Sequence, residues 1–417
     1  METLTLANIT GRDDMVRFFD GYSADRLEEL RGRKLRRELV KSHLIELLNG
    51  HRQCGDEGLT ALLTRRGMAL TQKEEGLFLV HDTEGREVGF LERLTPRILA
   101  LYSTLKANML DPLVNRTIRS SPELDHVWLS GQTFGVLWRL MVRLSEKHRF
   151  TRLVFTHERL YDIEPPNDDS DEGADEAPEL VDEKAREIRE QRETRLGIVD
   201  RVGVIDQRLR DLQGLYAPFH AISQLRFPSP VGRGGHDFYD NGRVTNRSES
   251  FRDHRSHLLF VVRIYQQLLE STERRAWYSV TEDVGLPGQF HRIAGAPVSI
   301  RFQGDGLTKE VFDRWVDSTF RPAGNRFRLW GNPIRLGPTK VHVYGVDRHL
   351  WQPLFLEATA RGCTAIVPKE TCGNTVHRLV TNIQRYLDPG CMVHIGETPY
   401  EEVIQGSAQD IPYDLQS

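Results

Sequence analysis

Apolar positions along this chain switch between helical and alternating periods, and each switch predicts an element. The stretch LRGRKLRRELVKSHLIELLNGH carries Leu35, Leu39, Leu44, Leu47 and Leu48 at near-helical spacing, with Gly50 as a stop, and predicts a helix. A short helix, LTALLTRRG, follows. FLVHD and EVGFLE around Thr83-Glu84-Gly85 then read as a hairpin. Two helices and a two-stranded wing match, in outline, the start of a winged helix–turn–helix. HVWLSG, QTFGVLWRLMVRLSEKH and RLVFTHE predict strand, helix and strand, with Phe134, Leu137, Trp138, Met141 and Leu144 inward, as in a right-handed βαβ unit. Leu196, Val199, Val202, Ile205, Leu209 and Leu212 recur every three or four residues and predict one long amphipathic helix.

The C-terminal part repeats that grammar. APVSIRF, FRLWG, TKVHVYGVD, CTAIVPK and CMVHIG read as strands. LTKEVFDRWVDSTF, HLWQPLFLEATARG and the stretch from Asn374 to Leu387 read as helices. The expected fold class is α/β: a mixed α+β N-terminal domain, winged-helix-like at its start, and a layered α/β C-terminal domain with a parallel or mixed sheet. The expected divisions are 1–161, an acidic flexible linker at 162–192, a unit at 193–280 with a long helix, an arginine-rich loop and a second helix, and a C-terminal domain at 281–417.

Composition changes this picture little. At 39% hydrophobic and 28% charged residues, a chain of 417 residues can build a core without staples. It has no apolar run of membrane-span length, no signal-peptide pattern at METLTLANITGRDD, and four cysteines, too few for a disulfide framework. A reducing cytoplasm is the expected location.

Charge changes it more. The net charge is −4, yet residues 162–193 alone carry about −10, so the remaining body is mildly basic. PPNDDSDEGADEAPE has almost no large apolar residue and predicts disorder. Arginine outnumbers lysine by about 47 to 9, which fits a GC-rich genome or the use of planar guanidinium groups on phosphates and carboxylates.

Two stretches carry candidate chemistry. In VPKETCGNTVHRLV a strand ends and a helix begins. Thr371 or Asn374 could cap that helix, and the free amides with Lys369, Asn374, Thr375, His377 and Arg378 could cradle a phosphate. The plainer reading is a capped helix with exposed basic residues. Cys372 and Arg378 also have the spacing of a cysteine-phosphatase loop, in which a thiolate attacks phosphorus while arginine grips the oxygens. The likeness is in spacing alone, since the loop has one glycine and no preceding histidine. On that alternative Cys372, His377 and Arg378 are catalytic.

The second stretch, Leu225 to His257, joins Arg226, Arg233, Arg243, Arg247, Arg252 and Arg255 to His236, His254 and His257, with Phe238 and Tyr239 between two glycine-rich turns. Arginine interleaved with aromatic residues suits a phosphate backbone or stacked bases, and Arg233, His236, Arg243, Asn246, Arg247, Arg252 and Arg255 are the expected contacts. Asp237, Asp240, Glu249 and Asp253 offset much of that charge, so a carboxylate-paired loop or a partner-docking loop is the competing reading. Neither His236, Asp237, Asp240, His254 and His257 nor Cys363, Cys372, Cys391 and His394 follows a recognised metal spacing, so no metal and no cofactor is expected. Trp315, Trp330 and Trp351 are expected in the core.

GxxxxGK[ST], G-x-S-x-G, HExxH and paired CxxC motifs do not occur, which disfavours an ATPase, an α/β-hydrolase, a zincin or a zinc ribbon. The expected function is therefore binding: a non-catalytic, nucleic-acid-associated or phosphate-recognising subunit of a larger prokaryotic-type assembly. Its partners would be nucleic acid or a phosphorylated ligand and other protein subunits, with no membrane. A phosphoryl-group enzyme and a protein-interaction scaffold are the alternatives.

Overall fold

The computed structural model describes residues 6–32, 37–47, 55–161, 193–230, 234–282, 291–321 and 326–408. The expected acidic linker at 162–192 and Arg233 lie outside the described residues. The fold is a mixed α/β one built on two sheets.

The first sheet contains β1 (Lys41–Leu47), β2 (Ala69–Glu74), β3 (Leu77–His81), β4 (Glu87–Arg93), β5 (Ile98–Ser103), β6 (Leu124–His126), β7 (Phe150–Glu158), β8 (Glu193–Arg201), β9 (Ile222–Pro228), β10 (Gly235–Tyr239) and β11 (Arg243–Asn246). Their order is β2-β3-β4-β5-β1-β11-β10-β9-β7-β8, with β6 on the far end of β1, and every pairing is antiparallel. Strands from 41–158 and from 193–246 thus share one sheet.

The second sheet contains β12 (Trp277–Glu282), β13 (His291–Ala294), β14 (Val298–Arg301), β15 (Leu329–Gly337), β16 (Lys340–Asp347), β17 (Gln352–Thr359), β18 (Gly362–Pro368), β19 (Met392–Ile395) and β20 (Thr398–Pro399). Its path is β15-β16-β17-β18-β14-β19-β20, and only the short β12–β18 contact is parallel.

Nine helices flank these sheets among the described residues: α1 (Arg12–Arg31), α2 (Asp56–Thr64), α3 (Ala107–Ser120), α4 (Gly131–Leu144), α5 (Val202–Leu215), α6 (Phe251–Ala276), α7 (Lys309–Thr319), α8 (Asn374–Tyr386) and α9 (Tyr400–Ala408).

Four local expectations are corrected. Residues 41–47 form β1, not a helix. This strand is buried on both faces: Leu44 packs in one core with α1, α4 and α6, while Ile45 and Leu47 pack in the other with α2 and α3. A strand covered on both sides loses its alternation and can imitate a helix. Residues 193–201 form β8, paired along the full length of β7, and the helix begins only at Val202. Residues 352–359 form β17, with Leu354, Leu356 and Ala358 inward at period two. The HVWLSG–helix–RLVFTHE segment is not a parallel crossover, because β6 pairs with β1 and runs opposite to β7. The Thr83–Gly85 hairpin does form, but it joins the middle strands of the β2–β5 meander.

The stretch 225–257, expected as a loop, is largely regular: the end of β9, β10, β11 and the first turns of α6. Ser250 caps α6 by accepting from the Asp253 amide at 3.1 Å. Asp20 reaches over from α1 and accepts from the Phe251 and Arg252 amides at 2.5 and 2.9 Å. No helix among the described residues is long and apolar enough to cross a membrane.

Candidate functional site

The junction before α8 is closed. Cys372, Asn374, Thr375, His377 and Arg378 are all buried, whereas Lys369 and Glu370 are exposed. The anion place at the α8 N-terminus is filled by the protein itself, since Glu273 of α6 accepts the Gly373 amide at 3.0 Å. Neither expected cap acts as one. Thr371 Oγ1 donates to the Pro368 carbonyl at 2.8 Å, and Asn374 accepts from Tyr265 Oη while donating to the His126 carbonyl at 2.9 Å.

The cysteine-phosphatase arrangement is not formed. Arg378 donates to Asp125 and Asp347 and through Nε to the Phe327 carbonyl at 2.9 Å, so a phosphate would have to displace two buried carboxylates. Burial and the neighbouring Glu46 carboxyl push the Cys372 thiol well above its usual range, the opposite of an activated nucleophile. His377 faces Tyr400, and burial lowers it to about 3.

Around this junction lies a dense buried polar cluster. Arg97 donates to Glu46 at 2.8 Å and to Glu273 at 2.9 Å, and its Nη2 is 3.5 Å from Cys372 Sγ. Burial raises Glu46 to about 7 against the pull of Arg97. Burial also opposes the charge on Asp125, but Arg378 and Arg328 outweigh it and hold that carboxyl below the usual range.

The 225–257 stretch contributes to two places. In one, β10 and α6 build a buried chain. His254 Nε2 lies 2.7 Å from Ser42 Oγ, His254 Nδ1 lies 3.3 Å from His236 Nδ1, and His236 Nε2 lies 2.9 Å from Asp253 Oδ2. Ser229 also donates to Asp253, at 2.5 Å. Burial lowers both His236 and His254, while His236 and His257 help hold Asp253 ionised despite its burial. The proton order is then fixed: Ser42 donates to His254, His254 to His236, and His236 to Asp253. This resembles a serine nucleophile's relay, but Ser42 is fully enclosed and no substrate can reach it. His236 is likewise enclosed and cannot touch an external phosphate.

In the other, β9–β11 and α1 form an open cleft of about 210 Å³. Arg26, Arg226 and Arg247 line it with Asn246, Ser248 and Tyr22, and no carboxylate does among the described residues. Behind its wall, buried Asp237 accepts from Arg226 at 2.6 and 3.0 Å and from Arg247 at 2.5 Å. Burial opposes the charge on Asp237, but these two guanidiniums hold it below the usual carboxylate range. Arg26 donates through Nε to the Arg37 carbonyl at 3.0 Å. Each guanidinium has five N–H groups, of which Asp237 takes two from Arg226. Arg226 and Arg247 share the one carboxylate of Asp237, and Arg26 stands beside them with Glu38 and Glu29 near it.

Of the remaining expected contacts, Arg243 pairs with Asp111 at 2.6 Å and stacks 4.0 Å from the Tyr239 ring centre. Arg255 pairs with buried Glu92 at 2.7 Å, and Arg252 is exposed. The cleft and the α8 junction do not form one surface. Trp330 and Trp351, expected in the core, are 46% and 55% exposed, whereas Trp315 is buried. Sequence reading missed Arg26 and Tyr22 of the cleft and Glu46, Arg97, Asp125, Glu273 and His349 of the cluster. An acid inside the apolar run of KSHLIEL was the one visible sign of the cluster.

The fold and site thus define a mixed α/β protein with a cationic cleft on one side of a large antiparallel sheet and a sealed charge cluster between its two sheets. Residues 228–402 match a family model described as MJECL33-like protein. The chain is similar to an uncharacterised protein, MJECL33, of Methanocaldococcus jannaschii, with 26% identity over 159 residues. That match covers 38% of this chain and spans 36% of the relative's length. No solved structure matches. The matched residues include Arg247, Glu273, His349, Cys372 and Arg378 but not Arg26, Arg226, Glu46 or Arg97.

Proposed function

We propose that the protein is a non-catalytic, phosphate-recognising component of a nucleic-acid-associated assembly, and that the ligand's phosphate enters the Arg26–Arg226–Arg247 cleft. The observation that carries this reading is the lining itself: three guanidiniums with Tyr22 beside them, and no carboxylate among the described residues. Guanidinium groups take phosphate oxygens in pairs, and an aromatic wall suits a base or sugar next to the phosphate. Fluorescence anisotropy with short single- and double-stranded DNA and RNA, at two salt concentrations, tests it. Binding should fall steeply with salt. Arg26→Ala should weaken it about tenfold, on the order of 1.4 kcal/mol. Arg26 is the clean probe because its hydrogen bond goes to a backbone carbonyl, whereas losing Arg226 or Arg247 also disturbs Asp237. No binding at low salt removes this reading.

A second reading, an interaction scaffold, draws on the outer face of β15–β17. Trp330, Ile334, Tyr344 and Phe355 are exposed there on one side of an antiparallel sheet, with Trp351 at the adjoining turn. Such a face suits an apolar protein surface. Association through it would be insensitive to salt and lost in Tyr344→Asp, which separates it from phosphate binding.

A further inference from the structure

Three side chains from distant parts of the chain meet inside the sealed cluster. Glu46 of β1, His349 in the turn after β16 and Cys372 just before α8 bring one ligand-type atom each to within 4.8 Å of one another. All three are enclosed, at 0%, 0% and 1% exposure. His349 is held by the Pro122 carbonyl, 2.8 Å from Nδ1. That bond needs a proton on Nδ1, which in the neutral ring leaves the lone pair on Nε2. His349 Nε2 has no hydrogen-bond partner, and neither has Glu46 Oε2. Two unpartnered acceptors beside a thiol in a closed site are costly and demand an explanation.

The other compact group of ligand-type residues, His236, Asp253 and His257, offers a contrast. Its members are tied to one another and to Ser42 and Ser229 in the directed chain described above; only Asp253 Oδ1 among them lacks a hydrogen bond, and His257 Nδ1 lies 3.2 Å from it.

We infer that Glu46, His349 and Cys372 form a structural site for a divalent transition metal of the zinc class. Carboxylate oxygen, imidazole nitrogen and thiolate sulfur are the donor types zinc accepts. Pro122 orients the imidazole from behind, as outer partners of metal-bound histidines do. Charge selects a divalent ion. Once ligated, Cys372 gives its proton to solvent; the thiolate, Glu46 and Glu273 then total −3, Arg97 adds +1, and a 2+ cation closes the balance. A fourth position is left for water or the second oxygen of Glu46. Because the three ligands lie on β1, at the end of β16 and at the start of α8, the ion would pin the first sheet to the second.

The test uses the full chain. Metal content of the purified protein is measured first. The protein is then unfolded with chelator and refolded with one equivalent of Co²⁺. The inference expects one metal per chain, a thiolate-to-cobalt charge-transfer band, and a higher Tm with metal than without. Cys372→Ser should lose the band, and Cys54→Ser, Cys363→Ser and Cys391→Ser should keep it. Should Cys372→Ser fail to fold, X-ray absorption of the zinc-loaded wild type decides: one sulfur with nitrogen and oxygen neighbours is expected. A metal-free chain that refolds without the band, a band that follows another cysteine, or an ion with no sulfur neighbour overturns the inference.

Discussion

The sealed cluster and the open cleft use the same two side-chain types in opposite ratio. In the cluster two arginines are each held between two carboxylates, Arg97 between Glu46 and Glu273 and Arg378 between Asp125 and Asp347. In the cleft two arginines share one carboxylate, Asp237, and a third stands beside them. The first arrangement leaves no positive charge to offer and is closed to water. The second lines an open cleft with guanidinium groups. Arginine content therefore says little about binding until the ratio of guanidinium to carboxylate and the exposure of each group are known.

The comparison breaks most sharply at Arg378. Arg378→Leu leaves Asp125 and Asp347 buried without their cation and should destabilise the protein by about 3–5 kcal/mol, read as a lower urea midpoint. A loss under 1 kcal/mol would mean that water reaches the cluster. A smaller effect, about 1.5–3 kcal/mol, is expected for Asp237→Asn, because Arg226 and Arg247 can turn to solvent. The same change should tighten anion binding, since it removes the negative charge shared by Arg226 and Arg247.

Acid sensitivity should follow the closed region. Burial lowers His126 to about 4 and His377 to about 3, from an ordinary 6.5. Both are neutral in the folded chain, so below pH 6.5 the unfolded chain takes up protons that the folded one refuses. Their contribution is present above about 6.5 and is lost as pH falls toward 4 and then 3. Urea midpoints across that range should show the decline, and His377→Gln should make it shallower by one proton's worth. An unchanged slope would place that ring in water. The smallest stability effect belongs to Arg26→Ala, within about 0.5 kcal/mol, as expected for a surface position. A larger loss would show that the cleft wall depends on Arg26 for folding and would complicate its use as a binding probe.

Legibility in the sequence followed the same divide. Helices with one wet face, such as α4 and α7, were readable, because their apolar positions recur at helical spacing and Ser130 and Thr308 cap them. The hairpin at Thr83–Gly85 was readable from its turn. β1 was not, because Lys41 to Leu47 are buried on both faces. The exposed edge strand β8 was mistaken for the first turns of α5, which follows it without a break. The arginines of the cleft were half visible: Arg226 and Arg247 stood in a suspicious cluster, while Arg26 came from a helix about 200 residues earlier. The Cys372–Arg378 spacing was visible and misled, because spacing does not reveal Glu46, Glu273, Asp125 and Asp347 arriving from elsewhere to claim those side chains.

The position of β1 has a consequence for synthesis. One of its edges pairs with β5, which emerges soon after it, but the other pairs with β11, where Ser42 meets Val244. At ordinary translation speeds the ribosome takes on the order of 10–40 s to make the intervening residues. Once made, β6 can cover Ile45 to Leu47, but through that interval the Lys41–His43 part of the edge stays bare, a short template for pairing with another chain. The protein's yield in a cell should therefore respond to chaperones that shield nascent strands, and slowing translation should lengthen the exposure and raise the aggregated fraction.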